Sequence, residues 1–231
     1  MYVFISPHFD DAIGSSGGVI NRLVESGEEC CVMTIMTAIP WYHPKYAYYV
    51  LHRQSENRNA AKALKCSVKN APFLDVVYRK GMRKQMKQAK KKLFTVEVTE
   101  YDLIEKIRDY ILINTKPDDI LIAPAGLGNH IDHRIVNIAV QDLDRRVYFY
   151  EEFYYDIEQT ESPLTADYAY VYLTKNEISE KLDAMLMYKK TLRKLFRRNW
   201  KERTSYYYMK ERIHAGKPYE RFNDITFING K

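Results

Sequence analysis

The sequence YVFISPHFDD, residues 2–11, places three ionisable side chains directly after a short apolar run. Its first four residues have the character of a strand, and Asp11–Glu25 carries apolar residues at helical spacing. His8, Asp10 and Asp11 therefore lie where a strand leads into a helix. In an open α/β sheet, ligands bind beyond the carboxyl ends of the strands. Because adjacent carboxylates repel each other, this cluster predicts a positively charged ligand between them.

A second cluster, HIDH at residues 130–133, follows another apolar run, Ile120–Ala123. His130 and His133 are three residues apart, so both face the same side if the segment opens a helix. If the two apolar runs are strands of one parallel sheet, the two clusters meet at the same edge. Two histidines and one carboxylate would then form a three-ligand metal site with an open position, as in hydrolytic zinc enzymes.

The rest of the chain alternates strand and helix patterns, which predicts a single doubly wound, Rossmann-like α/β domain over residues 1–231. A mostly parallel sheet would lie between two helical layers. The predicted strands are Tyr2–Ile5, Cys30–Met36, Ile120–Ala123, Arg146–Tyr150, Tyr168–Leu173 and Phe222–Ile228, with Pro72–Val77 as a short strand or extended run. The predicted helices are Asp11–Glu25, Leu51–Leu64, Tyr101–Ile113, Arg134–Asp142 and Asn176–Phe196. The segment Thr37–Tyr49 is predicted to be a loop that forms one wall of the pocket.

The net charge of +6 comes largely from two basic segments, Arg79–Lys92 and Lys189–Arg203. Either could meet an anionic partner. Neither has regular aromatic interleaving or the signature of a nucleic-acid-binding fold. Solvated helix faces are therefore the favoured interpretation, and nucleic acid is not expected as a partner.

The three cysteines, Cys30, Cys31 and Cys66, form no Cys-x-x-Cys pair and no disulfide framework. We therefore expect a reduced, cytoplasmic protein whose metal ligands are not thiolates. The N-terminus leads straight into a strand, so no signal peptide is expected, and no apolar run approaches the ~20 residues of a membrane span. The sequence predicts no oligomeric state.

The two clusters resemble the motifs of the PIG-L/LmbE-like family of zinc-dependent N-deacetylases, which remove acetyl groups from amino sugars and related glycosides. The family's Pro-His-Pro-Asp-Asp-Glu stands here as PHFDDA, residues 7–12, and its His-x-Asp-His as residues 130–133. Weaker similarities follow in the right order along the chain: Arg53 with Glu56, Tyr150–Glu152, and Glu220–Phe222.

By position, the resemblance implies that His8, Asp11 and His133 bind Zn2+, with Fe2+ as the alternative. It makes Asp10 the general base and His130 the group that stabilises the oxyanion. The substrate would be an N-acetylated amino sugar or glycoside, bound by the 41–49 loop and the tyrosine-rich C-terminal third.

Two further residues have predicted roles in the site. Asp132 is placed to orient one of the histidines. Arg53 either binds substrate or pairs with Glu56.

Three positions depart from the family pattern, namely Phe9, Ala12 and Gly128. Gly128 stands where some members have a tyrosine.

Other interpretations of the same residues stay open. Asp10 and Asp11 both suit the N-cap of a helix. The basic segments would suit a catalytically silent protein that binds an anionic glycan or nucleic acid. A metal hydrolase acting on another amide or an ester would use the same ligands. Glycines at 14, 17 and 18 lack the spacing of a nucleotide-binding loop and are interpreted as sites of close helix packing.

Overall fold

A computed structural model describes residues 1–79, 97–152, 168–208 and 213–228. Its described strands form one sheet with the order β3-β2-β1-β4-β5-β8-β6, and β7 pairs with β8. The strands are β1 Tyr2–Ser6, β2 Cys30–Thr34, β3 Ser67–Asn70, β4 Ile120–Pro124, β5 Val147–Tyr150, β6 Ala169–Tyr172, β7 Ile213–His214 and β8 Lys217–Phe222. The first five in this spatial order run parallel, whereas β8 is antiparallel to both β5 and β6.

Helices cover both faces of the sheet. They are α1 Asp11–Glu25, α2 Pro44–Ala63, α3 Tyr101–Asn114, α4 Ile131–Gln141, α5 Lys175–Met185, α6 Lys189–Phe196 and α7 Trp200–Tyr206, with short 3-10 turns at Val76–Tyr78 and Leu127–Asn129. Successive residues of β1 point to opposite faces. Tyr2 and Phe4 join the core beneath α1, α2, α5 and α6, and Val3 and Ile5 join the core beneath α3 and α4.

The predicted fold class, a doubly wound α/β domain with a mostly parallel sheet, is confirmed. That one domain covers all of residues 1–231 stays a prediction, because four segments lie outside the described residues. The basic segment predicted at Arg79–Lys92 lies outside them as well, apart from Arg79 itself. Within the described residues, no helix is long and apolar enough to cross a membrane.

The parallel pairing of β1 with β4 brings the two sequence clusters together. Tyr2 pairs with Ile120 and Phe4 with Ile122, so both strands end at the same edge of the sheet. His8 follows β1, and the 130–133 cluster follows β4. The sequence-based expectation that the clusters meet at one edge is therefore confirmed.

Four predicted elements are corrected by the structure. The 37–49 segment is not all loop, because α2 already begins at Pro44, a residue suited to the first helical position. The third strand is Ser67–Asn70 rather than Pro72–Val77. The helix predicted at 176–196 is two helices separated at Tyr188, whose ring is fully buried and whose hydroxyl donates to Asn57 Oδ1 at 2.7 Å. The last predicted strand lies earlier, at Lys217–Phe222.

Glycines allow α1 to pack closely against its neighbours. A Cβ atom on Gly18 would lie 2.6 Å from a methyl group of Leu173, inside van der Waals contact. The backbone N–H groups of Gly18 and Val19 donate to the Glu220 carboxylate, each at 2.9 Å. Lys181 Nζ donates to the same carboxylate at 2.6 Å, and both charged side chains are fully buried. The close-packing interpretation of these glycines agrees with this arrangement.

Candidate active site

The turn between β1 and α1 holds the first cluster in a fixed shape. Ser6 Oγ donates to the carbonyl of His8 at 2.5 Å and accepts from the N–H of Ala12 at 3.0 Å. Asp11 Oδ2 accepts from the backbone N–H of His8 at 2.7 Å. The turn therefore closes on itself, and it directs the His8 ring and the Asp11 carboxylate to the same point.

His133, from the first turn of α4, completes a triangle of ligand atoms. His8 Nδ1 lies 3.2 Å from Asp11 Oδ2, which lies 3.1 Å from His133 Nε2. The two ring nitrogens are 3.3 Å apart. Ligands at ~2.0–2.1 Å from a tetrahedral zinc ion are about 3.4 Å from one another. The three atoms therefore fit one face of such a site, and the fourth position faces away from them.

A carboxylate contacts the outer nitrogen of each ligand ring. His8 Nε2 lies 3.0 Å from Asp132 Oδ2, and His133 Nδ1 lies 3.2 Å from Glu152 Oε1. If each outer nitrogen carries the ring proton, each inner nitrogen keeps its lone pair for a metal. The predicted orienting position of Asp132 agrees with this geometry. The second carboxylate, Glu152, had only a weak sequence signal, as part of the Tyr150–Glu152 similarity.

Asp132 is itself held by several donors. Arg79 Nη1 lies 2.7 Å from its Oδ1, and the N–H of Val76 donates to Oδ2 at 3.0 Å. Burial alone would raise the pKa of Asp132, but the hydrogen bond from His8 and the charge of Arg79 hold that pKa below its ordinary value. Asp132 is therefore an anion that fixes the ring of His8. Nothing in the local sequence around Arg79 indicated this contact.

Asp10 stands beside the triangle with its own cation. Arg53 Nη2 donates to Asp10 Oδ1 at 2.5 Å, so Arg53 pairs with Asp10 and not with Glu56. Burial raises the pKa of the Asp10 carboxyl, while the charge of Arg53 opposes that rise; the net shift is upward. Asp10 occupies the N-cap position of α1, but its side chain makes no capping hydrogen bond. A capping role therefore does not account for this carboxylate.

His130 faces the same centre from the N-cap of α4. Its ring lies edge-on to that of His8, with centroids 5.0 Å apart, and 5.1 Å from that of His133. Burial, together with the neighbouring imidazoles, lowers the pKa of His130 to about 3. Its Nδ1 accepts from the N–H of Asp132 at 3.3 Å, which places the proton of the neutral ring on Nε2. His130 is thus a neutral N–H donor.

Position 128, where some members of the family have a tyrosine, is a glycine in this chain. Gly128 has a φ of 71°, in the left-handed region where a side chain is strained. Four other tyrosines line the adjoining cavity, three of them from the first two turns of α2: Tyr46, Tyr48, Tyr49 and Tyr78.

A cavity of about 680 Å³ opens directly above the triangle. Its lining residues are His8, Asp10, Asp11, Lys45, Tyr46, Tyr48, Tyr49, Arg53, Asp75, Val77, Tyr78, His130, Lys190 and Lys194. The segment predicted to form one wall does so, although as a helix rather than a loop. From the tyrosine-rich C-terminal third, the cavity takes two lysines of α6 and no described tyrosine.

Fold and site together define an α/β protein with a candidate metal centre at the carboxyl edge of its parallel strands. Residues 3–143 match the model of the GlcNAc-PI de-N-acetylase family, PIG-L. The match covers more than half of the chain, which therefore belongs to this family of deacetylases.

Related proteins agree with this assignment. The 2'-N-acetylparomamine deacetylase of Niallia circulans is 26% identical over 184 residues, covering 67% of each chain. The solved A40926 pseudoaglycone deacetylase superposes with a TM-score of 0.74 at 19% identity, over 96% of this chain and 95% of its own. A deacetylase–teicoplanin complex gives 0.74 at 20% identity, over 96% of both chains. These similarities to solved structures establish the shared fold.

Proposed function

We propose that this protein is a metal-dependent hydrolase that removes the N-acetyl group from an amino sugar or glycoside. The observation that carries the proposal is the triangle of His8, Asp11 and His133, with sides of 3.1–3.3 Å, at the base of a cavity. The neighbouring carboxylate of Asp10, which is no metal ligand in this arrangement, supplies the base that hydrolysis needs. Membership in a deacetylase family supports the same reaction.

Zn2+ is the ion we propose, with Fe2+ as the alternative. Two neutral imidazoles and one carboxylate are a ligand set of hydrolytic zinc sites, and the triangle has matching dimensions. When bound, such an ion lowers the pKa of a water to about 7 and polarises the acetamide carbonyl. A zinc-inhibited form of a teicoplanin deacetylase has been solved, with a TM-score of 0.73. Zinc therefore inhibits at least that protein of this fold.

Asp10 takes the proton of the attacking water in the proposed reaction. Arg53 fixes the orientation of this carboxylate through the hydrogen bond to Oδ1. As the C–N bond breaks, the same carboxyl gives that proton to the nitrogen, so the sugar leaves as a neutral amine. Arg53 is therefore proposed to position the base, rather than to bind the sugar alone.

His130 stabilises the negative charge that develops on the carbonyl oxygen. Because its ring is neutral and donates through Nε2, it can offer a hydrogen bond without carrying a competing positive charge. Loss of one such donor typically raises the barrier by about 3 kcal/mol. Asp132 contributes indirectly, because it holds the ring of His8 and, through its N–H, the ring of His130.

The substrate class follows from the cavity and from the relatives. The cavity is large enough for a sugar with an attached group, and tyrosine rings line it. The relatives named above are deacetylases of a paromamine derivative and of an A40926 pseudoaglycone, and one is bound to teicoplanin. We also propose a cytoplasmic location, because the sequence contains no disulfide framework.

Acetate release tests the proposal directly. The metal-loaded protein is assayed against a panel of N-acetylglucosaminides, simple acetamides and acetate esters. We expect turnover of the glycosides, and Asp10→Asn should retain the metal while losing at least a thousandfold in kcat. Asp109→Asn, which removes an exposed carboxylate on α3, is the matched control and should be fully active. Full activity of Asp10→Asn would refute the role of this base, and turnover of esters alone would refute the substrate class.

A further inference from the structure

Three lysines line the cavity that opens above the metal centre. Lys45 belongs to the first turn of α2, whereas Lys190 and Lys194 belong to α6. Lys190 and Lys194 are four residues apart, so they lie on the same face of α6 and point to the same space. The two helices come from parts of the chain more than a hundred residues apart. The cavity therefore has a basic wall built by two separate elements.

No carboxylate of the described residues lies within ion-pair distance of these three ammonium groups. The carboxylates that line the cavity are those of Asp10, Asp11 and Asp75. Asp10 is already paired with Arg53, and Asp11 and Asp75 lie 3.2 and 3.9 Å from nitrogens of His8. No ion pair among the described residues therefore neutralises the wall, although the Glu56 carboxylate is close enough to interact with the charge of Lys190.

Lys190 is held in position by aromatic rings. Its Nζ lies 5.7 Å from the ring centroids of both Tyr48 and Tyr49, within the range of cation–π contacts. Its backbone N–H donates to Glu56 Oε1 at 3.3 Å. The guanidinium of Arg53, which contacts Asp10, lies 6.0 Å from the centroid of the same Tyr49 ring. One tyrosine ring thus connects the Lys190 ammonium to the base beside the metal centre.

We propose that Lys45, Lys190 and Lys194 form a subsite for a negatively charged group, a carboxylate or a phosphate, on the substrate glycoside. This inference rests on the proposed function, since the acetamide at the metal centre is what directs the rest of the glycoside toward the basic wall. The subsite makes charge a determinant of specificity: it favours an acidic glycoside over a neutral one, and it disfavours a cationic one.

Four matched ligands test the subsite: methyl, carboxymethyl and 2-aminoethyl N-acetylglucosaminides, and N-acetylglucosamine 1-phosphate. Binding to the metal-loaded protein is measured by calorimetry, and acetate release is measured in parallel. We expect the best acidic ligand to bind about tenfold more tightly than the methyl glycoside, and the aminoethyl ligand to bind less tightly. The preference should shrink at high salt. The carboxymethyl and phosphate ligands together show which acid the subsite takes.

Variants of α6 assign the preference to particular lysines. Lys190→Gln should reduce the acidic preference about fivefold, so that the acidic ligands lose more affinity than the methyl glycoside. Lys190→Arg, which keeps the charge, should retain the preference. Lys189→Gln removes an exposed lysine of the same helix that does not line the cavity, and it should behave as the parent protein.

Failure of the subsite is distinct from failure of the proposed function. Equal binding of acidic and neutral glycosides, or an equal loss for all ligands in Lys190→Gln, would overturn the subsite even if acetate is released. Charge-dependent binding that disappears in Lys190→Gln would support it even if no ligand of the set releases acetate. Charge-dependent binding without acetate release would contradict the proposed deacetylase reaction but not the subsite.

Discussion

The buried pair of Lys181 and Glu220 should be a major determinant of stability. Both side chains are fully buried, and the ammonium lies 2.6 Å from one carboxylate oxygen and 4.5 Å from the ring centroid of Tyr208. Replacing Lys181 by methionine keeps much of the volume but leaves a buried carboxylate with two backbone N–H donors. Removing one partner of a buried pair costs about 3–5 kcal/mol. Unfolding of Lys181→Met should therefore occur about 6–20 °C below that of the parent.

Thermal and urea unfolding of a double-mutant cycle measures this effect. Glu220→Gln alone should also be strongly destabilising, since it leaves the ammonium without its counter-ion. The loss of unfolding free energy in the double variant Lys181→Met/Glu220→Gln should be smaller than the sum of the two single losses, by at least about 2 kcal/mol. The control is Lys175→Met, which alters an exposed lysine of the same helix and should change stability by at most about 0.5 kcal/mol. A loss below about 1 kcal/mol in Lys181→Met, or strict additivity, would refute the reasoning.

Three other perturbations have defined outcomes. Glu152→Gln removes the carboxylate partner of His133 and should weaken zinc affinity by about 10–100-fold in a chelator competition; unchanged affinity would contradict that role. Gly18→Ala should destabilise by about 1–3 kcal/mol in urea unfolding because its Cβ would overlap Leu173, and Leu173→Val should relieve part of the loss; an additive double variant would rule out the overlap. Burial alone would raise the pKa of Glu177, but the hydrogen bonds from Arg22 and from the backbone N–H of Thr174 lower it below its ordinary value. Its stabilising effect is present above the unfolded pKa and is lost as pH falls, so parent and Glu177→Gln should converge in melting temperature from about pH 6 to about pH 3.

The part of the site that sequence could predict is the part carried by local geometry. Residues 2–11 and 120–133 each contain a strand, a turn and the start of a helix, and a parallel sheet places such turns at one edge. The meeting of the two clusters follows from that rule, whereas the choice of His8, Asp11 and His133 within them came from the family resemblance. The structure adds the distances, which turn a list of candidate ligands into a triangle of suitable size.

The partners of these residues could not be predicted because they come from distant elements. Glu152 reaches His133 from the end of β5, and Arg79 reaches Asp132 from beyond a 3-10 turn. Arg53 could be assigned to the site by family resemblance, but its contact with Asp10 depends on where the fold places α2 relative to the turn between β1 and α1. Sequence spacing carries no information on such contacts.

Errors in the predicted elements have the same kind of origin. Strand β3, Ser67–Asn70, is short and only partly buried at the edge of the sheet, so it lacks the apolar run of a central strand. The start of α2 is rich in tyrosine and lysine without a regular apolar period, because those side chains line a cavity. Lys181, on α5, resembles a surface residue in the sequence, but its partner, Glu220, lies on the distant strand β8.

Metal content per chain tests the central claim most directly. The protein is purified without chelators, reloaded anaerobically with Zn2+ and analysed for metal beside His133→Ala and the control Asp109→Asn. The triangle predicts about one metal ion per chain in the parent and in the control, and loss of that ion in His133→Ala. Absence of metal from the reloaded parent, or full retention in His133→Ala, would contradict the assignment of His8, Asp11 and His133 as a metal centre.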